Sequence, residues 1–245
     1  MQYVGGYGGF GGGYGGWHMM WDPTYVLVLA GVVLSLIASG VVKNTFSKYS
    51  TVRSYSGMTG AQTAQRILDY AGIRDVSIVR VSGHLTDHYN PKTKQVALSD
   101  SVYGSNSVAA IAVAAHECGH VIQHANSYTP LAMRSALVPL ANFGSGISWF
   151  VIIAGLIFSI QPLVTAGIIL FSFAVLFQIV TLPVEFNASH RALGILQDTG
   201  ILGNNEGHSA RKVLRAAAMT YVAAAAASIL QLLRLIILSG RNRDD

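Results

Sequence analysis

Residues 23–42, Pro-Thr-Tyr-Val-Leu-Val-Leu-Ala-Gly-Val-Val-Leu-Ser-Leu-Ile-Ala-Ser-Gly-Val-Val, run for twenty positions without a charged side chain. As a helix, such a run is long enough to cross the roughly 30 Å hydrocarbon core of a bilayer. Two more stretches approach that length, Leu163 to Leu182 and Ala216 to Leu233 or slightly beyond. A fourth, Ile147 to Ile160, is shorter and reads as a span when Gly144 and Gln161 lie near the interfaces. Gln161-Pro162 then makes a tight hairpin into the next span. Composition agrees: 51% of the 245 residues are hydrophobic and 11% charged, with mean hydropathy +0.45. That is too apolar for an ordinary soluble domain. The fold class predicted is mainly α, a multi-span helical membrane protein.

The basic residues orient the first span. Residues 1–22 contain no Lys or Arg, while Lys43, Lys48 and Arg53 follow the span closely. By the positive-inside rule the tail is outside and the chain after Val42 is cytoplasmic. The N-terminus lacks the basic region and small-residue cleavage site of a signal peptide, so residues 23–42 read as a retained anchor. The expected location is the cell membrane, multi-pass, with the chemistry on the cytoplasmic side. This asymmetry accounts for the net charge of +5. No basic and aromatic pattern argues for nucleic acid, and no nucleic-acid partner is expected. The single cysteine, Cys118, has no partner for an intramolecular disulfide and reads as a packing residue.

Residues 1–22 form a Gly/Tyr-rich tail, too poor in branched apolar residues to offset its ordering entropy, and are expected to be disordered. Its aromatic residues, with Trp17 and Trp21, suit lipid headgroups. Residues 43–146 read as a compact α+β portion. Thr59 and Gln62 resemble a capping box, predicting a helix from Thr59 to Ala71 closed by Gly72. Val76 to Val81 alternates as a strand does, and Lys94 to Ser99 gives a second strand after the Asn90-Pro91 loop. Ser107 to Asn126 reads as one continuous helix, and Leu131 to Asn142 as mildly helical before the membrane hairpin of residues 147–182. Residues 183–215 re-emerge at Pro183, with a helix from Glu185 to Gln197, a loop from Asp198 to Asn205 and a helix starting at Ser209. That helix runs into a last span, residues 216–240, where Arg234 either snorkels or ends the span. A short tail, residues 241–245, follows.

The chemistry is carried by His116-Glu117-Cys118-Gly119-His120, an H-E-x-x-H sequence inside the predicted helix. Positions i and i+4 share a helix face, so both imidazoles reach one ion while Glu117 touches a bound water. Cys118, about 200° round from His116, faces away. A catalytic zinc generally takes three protein ligands and leaves a fourth position for water. His124 lies about 12 Å along the helix from His116 and is beyond reach. The metzincin pattern fails because Gln123 and Asn126 occupy its glycine and histidine places. Glu185, 65 residues after His120, is the better candidate. Two spans separate the two, so both end on one side of the membrane. Ser189 stands four residues after Glu185 on the same helix face, placed to hydrogen-bond a ligand.

These residues resemble the neutral zinc metallopeptidases of bacterial membranes, the YugP-like group, distantly similar to HtpX and the CAAX prenyl proteases. The resemblance covers nearly everything from Asp22 onward. It rests on Asp22-Pro23-Thr24-Tyr25, Phe46-Ser47-Lys48-Tyr49-Ser50, Leu85-Thr86-Asp87-His88-Tyr89, Ala115-His116-Glu117-Cys118-Gly119-His120 and Glu185-Phe186-Asn187-Ala188-Ser189. It implies a zincin-like (gluzincin) catalytic portion, zinc held by His116, His120 and Glu185, and Glu117 as catalytic base. Two positions depart from the related patterns. Ser189 stands where HtpX-type enzymes have an aspartate, and Asn90 stands before Pro91 where the group has an aspartate.

The expected activity is zinc-dependent peptide hydrolysis, with a peptide or membrane-protein substrate and the lipid bilayer as partners. His84, His88, His190 and Arg191 are candidate donors to the carbonyl oxyanion. The strand from Lys94 to Ser99 is a candidate for pairing with extended substrate. Three rivals remain: a site-2-type intramembrane metalloprotease, a non-catalytic membrane scaffold or adaptor with structural zinc, and a transporter. The first needs the motif inside a span, but Gln123, His124 and Asn126 follow it too soon. Arg234 alone is charged within the candidate spans, which leaves a transporter little to work with.

Overall fold

The computed structural model describes residues 22–241. The expected disorder of the Gly/Tyr-rich tail, the headgroup role of Trp17 and Trp21, and residues 242–245 lie outside the described residues. The order of elements is α1 (Tyr25–Ser50), α2 (Gly60–Tyr70), β1 (Ser77–Val81), β2 (His88–Asn90), β3 (Gln95–Ser99), α3 (Asp100–Tyr103), α4 (Val108–Ala125), α5 (Thr129–Ile157), α6 (Gln161–Asp198) and α7 (Asn204–Arg241). Helices α1, α5, α6 and α7 are long and apolar enough to cross a membrane. Leu36 and Ile37 on α1 are 67% and 58% exposed, which in a span means facing lipid rather than water.

The long helices run through the boundaries that the sequence suggests. Helix α6 continues past Pro183 to Asp198, so Glu185 sits on the same rod as the preceding span and not on a separate helix. Helix α5 joins the segment from Leu131 to the Ile147–Ile160 span without a break, although Pro139 lies inside it. Each proline removes one helical hydrogen bond, at about 3 kcal/mol. Breaking the helix within hydrocarbon would leave several backbone groups without partners, so continuity wins. Thr181 Oγ1, two residues before the proline, also donates to the Phe177 carbonyl at 2.8 Å. Gln161 and Pro162 do not form the hairpin turn but begin α6, where proline needs no N–H; the turn itself is Phe158 to Ile160, with Ser159 at φ 54°. Helix α7 starts within the stretch expected as a loop and continues past Arg234. Arg234 therefore does not end the helix. Its guanidinium lies 4.1 Å from the Tyr25 ring centroid on α1 and is largely buried.

The small sheet has the order β1-β3-β2, with β1 parallel and β2 antiparallel to β3. The sequence reading lacks β2, because three residues are too few to show an alternation. Its presence corrects the substrate-pairing expectation. The strand at 94–99 is central and both its edges are taken.

Local signals read well where they are self-contained. Thr59 caps α2 with both capping-box hydrogen bonds, Gln62 N–H to Thr59 Oγ1 at 3.2 Å and Thr59 N–H to Gln62 Oε1 at 2.9 Å. Ser107 caps α4 by accepting from Ala110 N–H at 3.2 Å. The first half of α4, from Val108 to Ala115, is the core of the molecule. It is enclosed by Ile67 and Leu68 of α2, Val96 and Leu98 of β3, Leu196 of α6 and Leu214 of α7.

Candidate metal centre

From His116 onward one face of α4 carries the polar cluster, while Cys118, Val121 and Ile122 on its other face stay in the core. Helix α6 crosses α4 with no room to spare. A Cβ at residue 119 would lie 2.5 Å from the Ala188 carbonyl oxygen, so glycine at 119 permits the crossing. The crossing puts Glu185 over the two histidines. Glu185 Oε2 lies 3.3 Å from His116 Nε2 and 3.6 Å from His120 Nε2. These three residues, with ligand atoms all within 4.8 Å of one another, are the group among the described residues able to hold a metal ion. His124 is not in it; its Nδ1 faces Tyr89 Oη at 3.3 Å.

The donor set fits zinc. Bonds of about 2.0–2.1 Å in a tetrahedron set neighbouring donors roughly 3.3 Å apart, close to both distances seen here. Glu185 Oε2 is buried and has no hydrogen-bond partner. A buried carboxylate oxygen without a partner is costly, and a cation between it and the imidazoles removes that cost.

The outer nitrogens of both histidines are held. Ser189 Oγ lies 3.1 Å from His116 Nδ1, and Gln123 Oε1 lies 3.0 Å from His120 Nδ1. Gln123 Oε1 can only accept, which fixes the His120 tautomer that leaves Nε2 free to coordinate, and the Ser189 hydroxyl can accept from His116 Nδ1 in the same way. Gln123 is fully buried and is itself anchored, its Nε2 donating to the Val184 carbonyl at 2.8 Å and to Asn187 Oδ1 at 3.0 Å. Sequence reasoning took Gln123 only as a polar interruption. Its place three residues after His120, on the same helix face, was the available signal.

Glu117 is buried beside the cluster. Burial pushes its carboxyl above the usual carboxylate range, against the pull of His116 and His120. For His120 burial works against the charged ring, but the Glu185 carboxylate and the Glu117 charge outweigh it and raise the imidazole. Cys118 points away, with Sγ 3.7 Å from the Ala64 carbonyl, and burial raises its thiol far from any reactive range.

A cavity of about 200 Å³ opens over the cluster. Of the proposed oxyanion donors only His88 lines it; His84, His190 and Arg191 do not. Asp87, from the Leu85–Tyr89 motif, lines it too, as do Arg134 and Tyr221, which the sequence does not single out. Asp87 accepts from the backbone N–H and hydroxyl of Ser99 at 2.7 and 3.0 Å, and burial raises its carboxyl. Arg134 on α5 and Tyr221 on α7 arrive from span-length helices distant in sequence, which no local pattern could announce.

Residues 24–240 match the family described as "Putative neutral zinc metallopeptidase". The chain belongs to that family. This zinc metallopeptidase homologue is also 48% identical over 219 residues to the "Putative membrane protease YugP" of Bacillus subtilis (strain 168), covering 89% of this chain and 97% of the relative. No solved structure matches it. Within the metallopeptidase match fall all four residues of the candidate centre.

Proposed function

We propose that the protein is a membrane-embedded zinc metalloendopeptidase in which His116, His120 and Glu185 hold the ion and Glu117 is the general base. The observation carrying this reading is the convergence of the buried Glu185 Oε2, which makes no hydrogen bond, on two imidazole Nε2 atoms 3.3 and 3.6 Å away, beside a second buried carboxylate. When bound, zinc lowers the pKa of a water to roughly 7 and polarises the scissile carbonyl.

The protein's own residues do the rest. Glu117 takes a proton from the attacking water and delivers it to the leaving amine. Ser189 and Gln123 keep the imidazoles oriented through the reaction. The Tyr221 hydroxyl and the Arg134 guanidinium, both in the cavity wall, donate to the oxygen on which charge develops. Arg134 Nε is buried without a partner, as expected of a donor reserved for substrate. The substrate strand pairs along the open edge of β2, whose His88 and Tyr89 border the cavity.

The centre lies on the cytoplasmic side of the cell membrane in this reading. Its support is the absence of Lys and Arg from residues 1–22 and the presence of Lys43, Lys48 and Arg53 directly after the first apolar run. Helix α4 is not among the four helices apolar enough to span, which disfavours a site-2-type arrangement.

The test is cleavage of an unfolded polypeptide by the full chain in detergent or nanodiscs, with bound zinc measured on the same sample. Wild type cleaving with one zinc, and Glu117→Gln keeping zinc but not cleaving, supports the reading. Zinc bound at wild-type level with no cleavage of any peptide offered replaces it with the structural-zinc scaffold.

A further inference from the structure

We propose that a groove between α1 and α7, which shares no lining residue with the cavity over the metal centre, binds the headgroup of an anionic glycerophospholipid. The two helices are pressed together at Gly31, where a Cβ would meet the Ala227 side chain at 3.0 Å. Toward the end of α1 they frame a cavity of about 480 Å³ lined by Val41, Lys48 and Tyr49 on one side and Lys212, Arg215 and Met219 on the other.

Both walls change from apolar to basic in the same direction. On α1, Val41 precedes Lys48 by seven residues, about 10 Å along the axis. On α7, which runs the other way, Met219 lies one turn above Arg215 and two above Lys212. Val41 and Met219 are each 45% exposed, so the upper part of the groove offers apolar surface sideways to acyl chains. The lower part offers three cations. Among the described residues none of Lys48, Lys212 and Arg215 forms an ion pair; Lys48 Nζ has only the Tyr49 ring beside it, 5.7 Å from the centroid.

The cations stand where the apolar runs of α1 and α7 end, which is the depth of lipid phosphates. A soluble anion would satisfy the charges and leave the apolar wall unused. A zwitterionic lipid would use the wall but bring its own cation to a basic site. An anionic phospholipid matches both halves.

The test uses the full chain, delipidated in detergent and titrated with phosphatidylglycerol or phosphatidylcholine of identical acyl chains, with bound lipid counted by native mass spectrometry. Phosphatidylglycerol is expected to bind at least tenfold more tightly than phosphatidylcholine. Each of Lys48→Gln, Lys212→Gln and Arg215→Gln should weaken it roughly fivefold, the effect of about one cation at an anionic headgroup. Lys43→Gln, outside the groove, should leave it unchanged, and millimolar inorganic phosphate should not displace the lipid. Met219→Trp fills the groove while keeping every charge, and should weaken binding even if a glutamine variant fails to fold. Equal affinity for the two lipids, no loss in the glutamine and tryptophan variants, or displacement by inorganic phosphate would each overturn the proposal.

Discussion

The Ala188 carbonyl oxygen sits 2.5 Å from the point a Cβ of residue 119 would occupy, so the crossing of α4 and α6 is set by a missing methyl group. Adding that methyl forces backbone against backbone and lifts Glu185 away from the histidines. Gly119→Ala should destabilise the fold by about 1–3 kcal/mol and lower bound zinc. Thermal unfolding with zinc analysis checks it, and an alanine variant that keeps full zinc would remove Gly119 from this role.

Glu117→Gln preserves shape and hydrogen-bonding reach but not the proton acceptor. Cleavage should fall by roughly 10²–10⁴-fold with zinc content unchanged. Loss of zinc together with activity would instead make Glu117 part of the metal's own support.

Gln123→Ala frees His120 Nδ1 and unties α4 from α6 at Val184 and Asn187. Zinc affinity should drop by about 10–100-fold, measured by competition with a chelator of known affinity. Ser189→Ala removes one contact only, so its effect should be the smaller of the two.

Tyr221→Phe deletes a single hydroxyl from the cavity wall. It should lower kcat by roughly 10²–10³-fold while zinc and KM stay close to wild type. A change confined to KM would make Tyr221 a substrate-binding residue.

The loop before β2 is tied down by Asp100, which accepts from Arg80 Nε at 2.6 Å and from Gly83 N–H at 3.2 Å. The Arg80 guanidinium first, and the Gly83 amide second, hold the Asp100 carboxyl below its ordinary 3.8. A depressed carboxylate contributes its stabilisation above pH 3.8 and loses it as pH falls through the folded-state value. Hydrogen exchange at Gly83, corrected for intrinsic rate, should therefore speed up on acidification below pH 3.8. In Asp100→Asn it should be fast at every pH.

What was legible in the sequence was what depends on neighbours a few residues apart. The Thr59 capping box, the helix from Ser107 to Asn126 and the i, i+4 histidines are local, and the structure shows the same elements. Counting two spans between Glu185 and the histidines places them on one side of the membrane, a topological argument that needs no packing detail. Arg134 and Tyr221 were not legible, because each gains its place only when helices far apart in sequence meet; Gln123 carries a local signal three residues after His120, and β2 is too short to show an alternation. Pro183 misled for a different reason. Rules for helix ends are drawn from chains in water, whereas a break at Pro183 would free carbonyls of the preceding turn, where hydrocarbon offers no water to replace the lost bond.

Because α6 is one unbroken rod, the depth of the reaction centre is a matter of residue counting. Glu185 lies 24 residues beyond Gln161, about 36 Å at 1.5 Å per residue, against a hydrocarbon slab of roughly 30 Å. With Gln161 at one interface, the proposed zinc ligands would stand a turn or so outside the acyl chains. On the proposed reading, peptide bonds in juxtamembrane loops come within their grasp, whereas bonds buried in an intact transmembrane helix would first have to be drawn out.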